Sequence, residues 1–133
     1  MMRILFLFLV GLMLLGTSAQ AQQAEPDIYL QKDLTKDVEF PGGHEAMMKF
    51  FEDNMVYPPA AKEQGKEGSV FVRLIIDKNG AIYSSEIAMA FHPLFEDEAL
   101  RLVMSMPNWI PAEINGQQVA TTKMISIPFK LNP

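Results

Sequence analysis

The clearest hydrophobic pattern is an alternation of apolar and other side chains over residues 68–77. A period of two is typical of a β-strand that buries one of its faces. Residues 81–89 follow a segment of turn-forming composition, so we expect them to return as a second, antiparallel strand. The buried face of the first strand is predicted to consist of Val70, Val72, Leu74 and Ile76.

The turn between these strands, Asp77-Lys78-Asn79-Gly80, leaves their register open. A two-residue loop at its last two positions would place Arg73 opposite Glu86. A three-residue loop closed by its glycine would shift every pair by one. Because Ile82 and Ile87 have opposite parity along the second strand, a β-bulge would be needed to turn both toward the core.

Two other segments carry apolar residues at helical spacing. Residues 44–55 follow a Pro-Gly-Gly breaker, and residues 94–106 follow His92-Pro93. Apolar residues three and four positions apart share one face of a helix, so both segments are predicted to be amphipathic helices. Residues 59–64 predict one further helical turn. The apolar stripes consist of Met47, Phe50, Phe51 and Met55 in the first helix, and of Phe95, Ala99, Leu102, Val103 and Met106 in the second.

The last predicted strand covers residues 119–131 and follows a second turn at Asn115-Gly116. The order helix, strand, strand, helix, strand predicts an α+β fold, a small two-layer sandwich of a three-stranded antiparallel sheet with two helices on one face. A right-handed crossover between the second and last strands leaves room for the first strand between them. The predicted strand order is therefore second, first, last. The last strand is then an edge, as Pro128 also indicates.

The first residues have the pattern of a secretory signal peptide. Arg3 precedes an apolar run, and Ala19-Gln20-Ala21 has the small-residue spacing of a cleavage site. We therefore expect residues 1–21 to be removed, residues 22–37 to form a polar lead segment, and residues 38–133 to form one domain. The alternative is an uncleaved leader that anchors the chain in a membrane. The residues predicted to define the cleavage site are Ala19, Ala21 and Gln22.

Composition argues against several functional classes. The chain has no cysteine, which excludes disulfides, thiolate metal ligands and a cysteine nucleophile. A net charge of −5 argues against a nucleic-acid partner. His44 and His92 belong to no metal-binding spacing and lie at predicted helix starts. The run Glu96-Asp97-Glu98 lacks the spacing of a calcium loop and suits a helix N-terminus. We expect no cofactor, no metal and no enzymatic activity, and we expect Trp109 to seal the core edge rather than to stack on a ligand.

The outer edge of the last strand remains as a candidate site. An unpaired edge exposes backbone donors and acceptors that can pair with an extended peptide. The residues leave two interpretations open, because Pro128 and Lys130 could instead protect the edge from aggregation. A second copy of the chain could use the same edge, which would give a homodimer. If the edge binds a partner, the contacting residues are predicted to be Thr122, Met124, Ser126, Pro128 and Lys130.

Several short motifs occur in a fixed order: Phe40-Pro41-Gly42-Gly43, Tyr57-Pro58, Val70–Ile82, Trp109-Ile110-Pro111-Ala112, Asn115-Gly116 and Ile127–Leu131. Together they resemble the C-terminal domain of the TonB energy-transducer family, particularly its compact versions in Bacteroidetes-type bacteria. The resemblance covers residues 38–131. It implies a periplasmic domain of Gram-negative bacteria whose last strand captures an extended segment of an outer-membrane receptor during transmembrane transport.

Two features depart from a full transducer of that family. Residues 4–15 carry no ionisable side chain of the kind expected in a helix coupled to motor subunits. Residues 22–37 reach at most about 55 Å when fully extended, which is short for a spacer across the periplasm. We therefore expect a freestanding periplasmic binding module. The alternative is a minimal transducer whose retained leader works with motor subunits at the inner membrane.

Overall fold

The computed structural model describes residues 25–131, so the predicted leader and its cleavage residues Ala19, Ala21 and Gln22 lie outside the described residues. Within these residues three helices and five strands follow one another, with short 3-10 turns at Gln31–Asp33 and Pro93–Phe95. The elements are β1 (Ile28–Tyr29), α1 (Gly43–Asn54), α2 (Pro59–Glu63), β2 (Gly68–Ile76), β3 (Ile82–Ala90), α3 (Glu96–Met104), β4 (Ala112–Ile114) and β5 (Gln117–Phe129).

The α+β class and the order of the three long strands are confirmed, because β2 lies between β3 and β5. The predicted number of strands is wrong. The sheet runs β1-β5-β2-β3, with β4 also paired to β5, and the β1–β5 pair is parallel. The two strands that were not predicted are two and three residues long. Segments this short contain too few positions for an alternating pattern to be recognised.

The edge position of β5 needs a related correction. Ala120 and Thr121 pair with β1, and residues 117–119 pair with β4. Over residues 122–129, no strand of the described chain pairs with β5 on the side away from β2. The unpaired outer edge of the sheet is therefore this shorter stretch, and not the whole last strand.

The β2–β3 hairpin combines the two registers that the sequence left open. The turn is a three-residue loop, since the N–H of Asp77 donates to the carbonyl of Ala81 at 2.9 Å. A shift in register next to Ile76 then brings Arg73 opposite Glu86, as a two-residue loop would have done. Gly80 closes the turn with φ +87°, and a Cβ there would lie 1.8 Å from the carbonyl oxygen of Trp109. Only glycine fits this position.

One apolar core lies between the sheet and the helices. The alternating faces of β2 and β5 meet Met47 and Phe51 of α1, and Leu102 and Val103 of α3. Trp109 is 4% exposed and its ring lies edge-on to Phe40, with 5.6 Å between ring centroids. It therefore closes one end of the core, as expected.

Candidate partner-binding edge

The five residues predicted to contact a partner lie along the unpaired part of β5 or directly after it. Their side chains alternate with Ile125, Ile127 and Phe129, which are buried against the helices. Met124 is 46% exposed and Lys130 is exposed, while Thr122, Ser126 and Pro128 are half-buried. The structure thus places Thr122, Met124, Ser126 and Pro128 along β5, with Lys130 directly after it.

The register of the sheet fixes which backbone groups face outward. The N–H of Phe91 donates to the carbonyl of Ser69 at 3.1 Å, so Ser69 directs its backbone groups toward β3. Ser69 lies opposite Pro128 on β5. Because the backbone groups of Ser69 point toward β3, Ser69 and Pro128 form a pair without hydrogen bonds between them. By the alternation along β5, the N–H groups of Met124 and Ser126 point away from β2.

A second hydrogen bond supports the conclusion that the odd-numbered residues of β5 direct their N–H groups toward β2. The N–H of Leu131, three positions after Pro128, donates to Oε1 of Glu67, the residue before β2, at 2.8 Å. By the same alternation, Ile125 and Ile127 direct their N–H groups onto β2. Pro128, which has no N–H, occupies an outward position and removes no bond from the ladder.

Two pockets with largely apolar walls lie beside this edge, and we refer to them together as the groove. Its first part has a volume of about 310 Å³ and lies between residues 123–126 and the segment that leads into α1. Its second part, about 330 Å³, lies between α1 and the end of β5. The apolar walls of the groove are formed by Val38, Phe40, Met47, Met48, Phe51, Met55, Tyr57 and Trp109. An extended chain laid along β5 would thus meet backbone donors on one side and these apolar side chains below.

A fixed ion pair holds one wall of the groove. The carboxylate of Asp37 accepts hydrogen bonds from Lys123 Nζ (3.0 Å), Gln31 Nε2 (2.7 Å) and the N–H of Val38 (2.8 Å). Burial raises the pKa of Asp37, but these three hydrogen bonds and the charge of Lys123 together outweigh it and lower the pKa. The residue is therefore an ionised anchor at neutral pH, and it ties the segment before α1 to β5.

The two histidines and the acidic run that were considered as candidate metal or catalytic groups lie at the starts of helices. His92 accepts a hydrogen bond from the N–H of Leu94 at 3.2 Å and so caps the turn before α3. His44 lies exposed in the first turn of α1. Glu98 pairs with Arg101 one turn later. Between residues 25 and 131, no group of three histidine or carboxylate side chains could hold a metal ion.

Sequence reasoning did not predict the groove. The stripe of Met47, Phe50, Phe51 and Met55 predicted a buried helix face, but not that Met55 and the adjacent Met48 would border the edge of β5. The apolar residues Val38 and Phe40 lie in an irregular segment, so no periodic pattern predicted that they would line the groove. None of the helices between residues 25 and 131 is long and apolar enough to cross a membrane.

Fold and site define a small α+β domain with an unpaired strand edge beside an apolar groove. The family model described as Gram-negative bacterial TonB protein C-terminal matches residues 53–131, and the chain belongs to this family. The match includes the three long strands β2, β3 and β5, and it confirms the resemblance seen in the sequence. It connects the chain with TonB-dependent transport in the Gram-negative envelope. No curated protein matches the chain.

Proposed function

We propose that this protein is an exported TonB-type domain that binds an extended segment of an outer-membrane receptor, or of another exported partner, by strand addition to residues 122–129 of β5. One observation carries the proposal. The outward N–H groups of Met124 and Ser126 lie beside an apolar groove, on an edge with no neighbouring strand in the described chain. Backbone pairing would supply affinity, and alternate side chains in the groove would supply specificity.

The distribution of charge along the edge favours binding over protection. Protected edges carry lysines or inward charges along their length. Here Lys123 is turned toward Asp37, where its ammonium group forms the 3.0 Å ion pair. Pro128 and Lys130 lie at the C-terminal end of the edge, and residues 124–127 contain no lysine and no proline. We also propose that the protein acts by binding alone and has no catalytic activity.

We propose the periplasm as the location of the mature domain, because segments of outer-membrane receptors are accessible there. The expected mass of the protein isolated from its source cells is that of a chain beginning at Gln22. Mass spectrometry of the intact protein measures this directly. A mass that includes the leader would instead support the anchored, minimal transducer.

Hydrogen exchange tests the proposed contact residue by residue. The probes are synthetic peptides that tile the periplasm-facing segments of TonB-dependent receptors from the source bacterium. In the free protein the amides of Met124 and Ser126 should exchange quickly, and in the complex they should be protected. The amides of Ile125 and Ile127, bonded to β2, should be protected in both states and serve as internal controls.

Two other results would count against the proposal. If a peptide binds and leaves Met124 and Ser126 unprotected, the partner uses another surface. If both amides are protected in the free protein and lose that protection on dilution, a second copy of the chain occupies the edge, and the protein is a homodimer in that state.

A further inference from the structure

Methionine is concentrated around the proposed partner-binding edge. The chain has ten methionines, and four of them line the groove. Met47 and Met124 line the part beside residues 123–126, while Met48 and Met55 line the part between α1 and the end of β5. The chain has no cysteine, so these thioethers are the sulfur atoms that an oxidant meets at the groove.

Three of these four side chains are accessible from solvent. Met124 is 46% exposed, and Met48 and Met55 are half-buried. Met47 is only 6% exposed and belongs to the core. Oxidation of a side-chain sulfur depends on its exposure. A small oxidant can therefore reach the three accessible sulfur atoms, whereas the sulfur of Met47 is protected by the fold.

We propose that Met48, Met55 and Met124 are an oxidation site, and that their conversion to methionine sulfoxide by a peroxide releases the docked segment. This inference rests on strand addition at β5. With hydrogen peroxide, the thioether sulfur attacks one oxygen, the O–O bond breaks and a sulfur–oxygen bond forms. The departing hydroxide takes the proton of the transferred oxygen and leaves as water. The sulfur is thus oxidised by two electrons, and the peroxide is reduced by two.

A sulfoxide is a polar acceptor, and the groove does not suit it once a partner is bound. The groove-facing side chains of a docked strand would cover Met48 and Met55. A covered acceptor needs a hydrogen-bond donor. Of the side chains that line this part of the groove, Tyr57 already donates its hydroxyl to the carbonyl of Lys66, and Lys130 is exposed. Oxidation should therefore weaken binding, while the free domain keeps its sulfoxides in water and stays folded.

Hydrogen peroxide is the probe, and two variants separate the groove from the rest of the surface. The groove variant carries Met48→Leu, Met55→Leu and Met124→Leu, since leucine is close to methionine in volume and has no sulfur. The control variant carries Met89→Leu and Met104→Leu. In the parent these two side chains are 61% and 79% exposed, and they line neither part of the groove. Mass mapping of proteolytic fragments identifies the oxidised residues.

The affinity for a receptor peptide that binds the untreated parent is the measured quantity. After peroxide treatment the parent and the control variant should bind it about tenfold more weakly or worse. The treated groove variant should stay within about twofold of its untreated affinity. Methionine sulfoxide reductase, which converts the sulfoxide back to the thioether, should restore binding by the parent. Thermal unfolding should show that the treated parent is still folded.

The outcomes separate this site from strand addition itself. If the groove methionines are oxidised and the parent binds as tightly as before, the proposed release is wrong and strand addition holds. The release is also refuted if the groove methionines resist peroxide, or if the treated parent unfolds. If the treated groove variant loses affinity as the parent does, the sensitive residue lies elsewhere. If no peptide binds the untreated parent, both proposals fail.

Discussion

Phe129→Ala is expected to lower the free energy of unfolding by about 3–5 kcal/mol. Phe129 is fully buried at the end of β5, where its ring stacks on Phe95 with 4.5 Å between centroids and meets Tyr57 at 6.1 Å. Removing the ring leaves a cavity between the sheet and the start of α3, and it removes two aromatic contacts at once. Chemical denaturation of the parent and the variant measures the difference.

Phe91→Ala is the matched control for this substitution. Phe91 carries the same side chain but is 79% exposed, so its loss should change the free energy of unfolding by less than about 0.5 kcal/mol. A loss below about 1 kcal/mol for Phe129→Ala would show that the core is not organised around the helix-facing side of β5.

Ile125→Pro is expected to unfold the domain. Ile125 is 3% exposed and lies opposite Val72, so proline would remove a buried side chain and a ladder hydrogen bond to β2 together. The two losses sum to about 3–8 kcal/mol, which is comparable with the whole stability of a small domain. Circular dichroism of the variant should show no cooperative thermal transition.

Ser126→Pro, one residue further on, is the control for Ile125→Pro. Its N–H points away from β2 and its side chain is only half-buried, so the variant should remain folded with a melting temperature close to that of the parent. A folded Ile125→Pro variant together with an unfolded Ser126→Pro variant would mean that the inward and outward positions along β5 have been assigned the wrong way round.

The long elements of the fold could be predicted because each carries its own pattern. The elements α1, β2, α3 and β5 are each nine residues or longer, which leaves room for a helical stripe or for several alternating positions. The short strands β1 and β4 carry no such pattern and depend on their partners. β1 exists because Ile28 and Tyr29 meet residues 120 and 121 of β5, more than ninety positions away in the sequence. Tertiary contacts of this range cannot be read from local periodicity.

The backbone donors of the site could be predicted from the sequence, whereas the apolar side chains that line the groove could not. Pro128 alone indicates which N–H groups of β5 face outward, because proline has no N–H to donate and is tolerated only at an unpaired position. The register of the structure agrees at Ser69 and Pro128. The groove depends on where residues 37–40 return against β5, and the Asp37–Lys123 pair that holds them spans 86 positions. The sequence contains no local signal for that contact.

The affinity of Ser126→Pro for a bound receptor peptide tests strand addition most directly. The matched control is Ser126→Ala, which removes the same hydroxyl group and keeps the backbone N–H. Calorimetric titration should give a dissociation constant for Ser126→Ala within about twofold of the parent, and a loss of about tenfold or more for Ser126→Pro, because a backbone bond to the partner is gone and the proline ring obstructs its approach. If folded Ser126→Pro binds the peptide as tightly as the parent, the edge of β5 is only protected and the partner binds elsewhere.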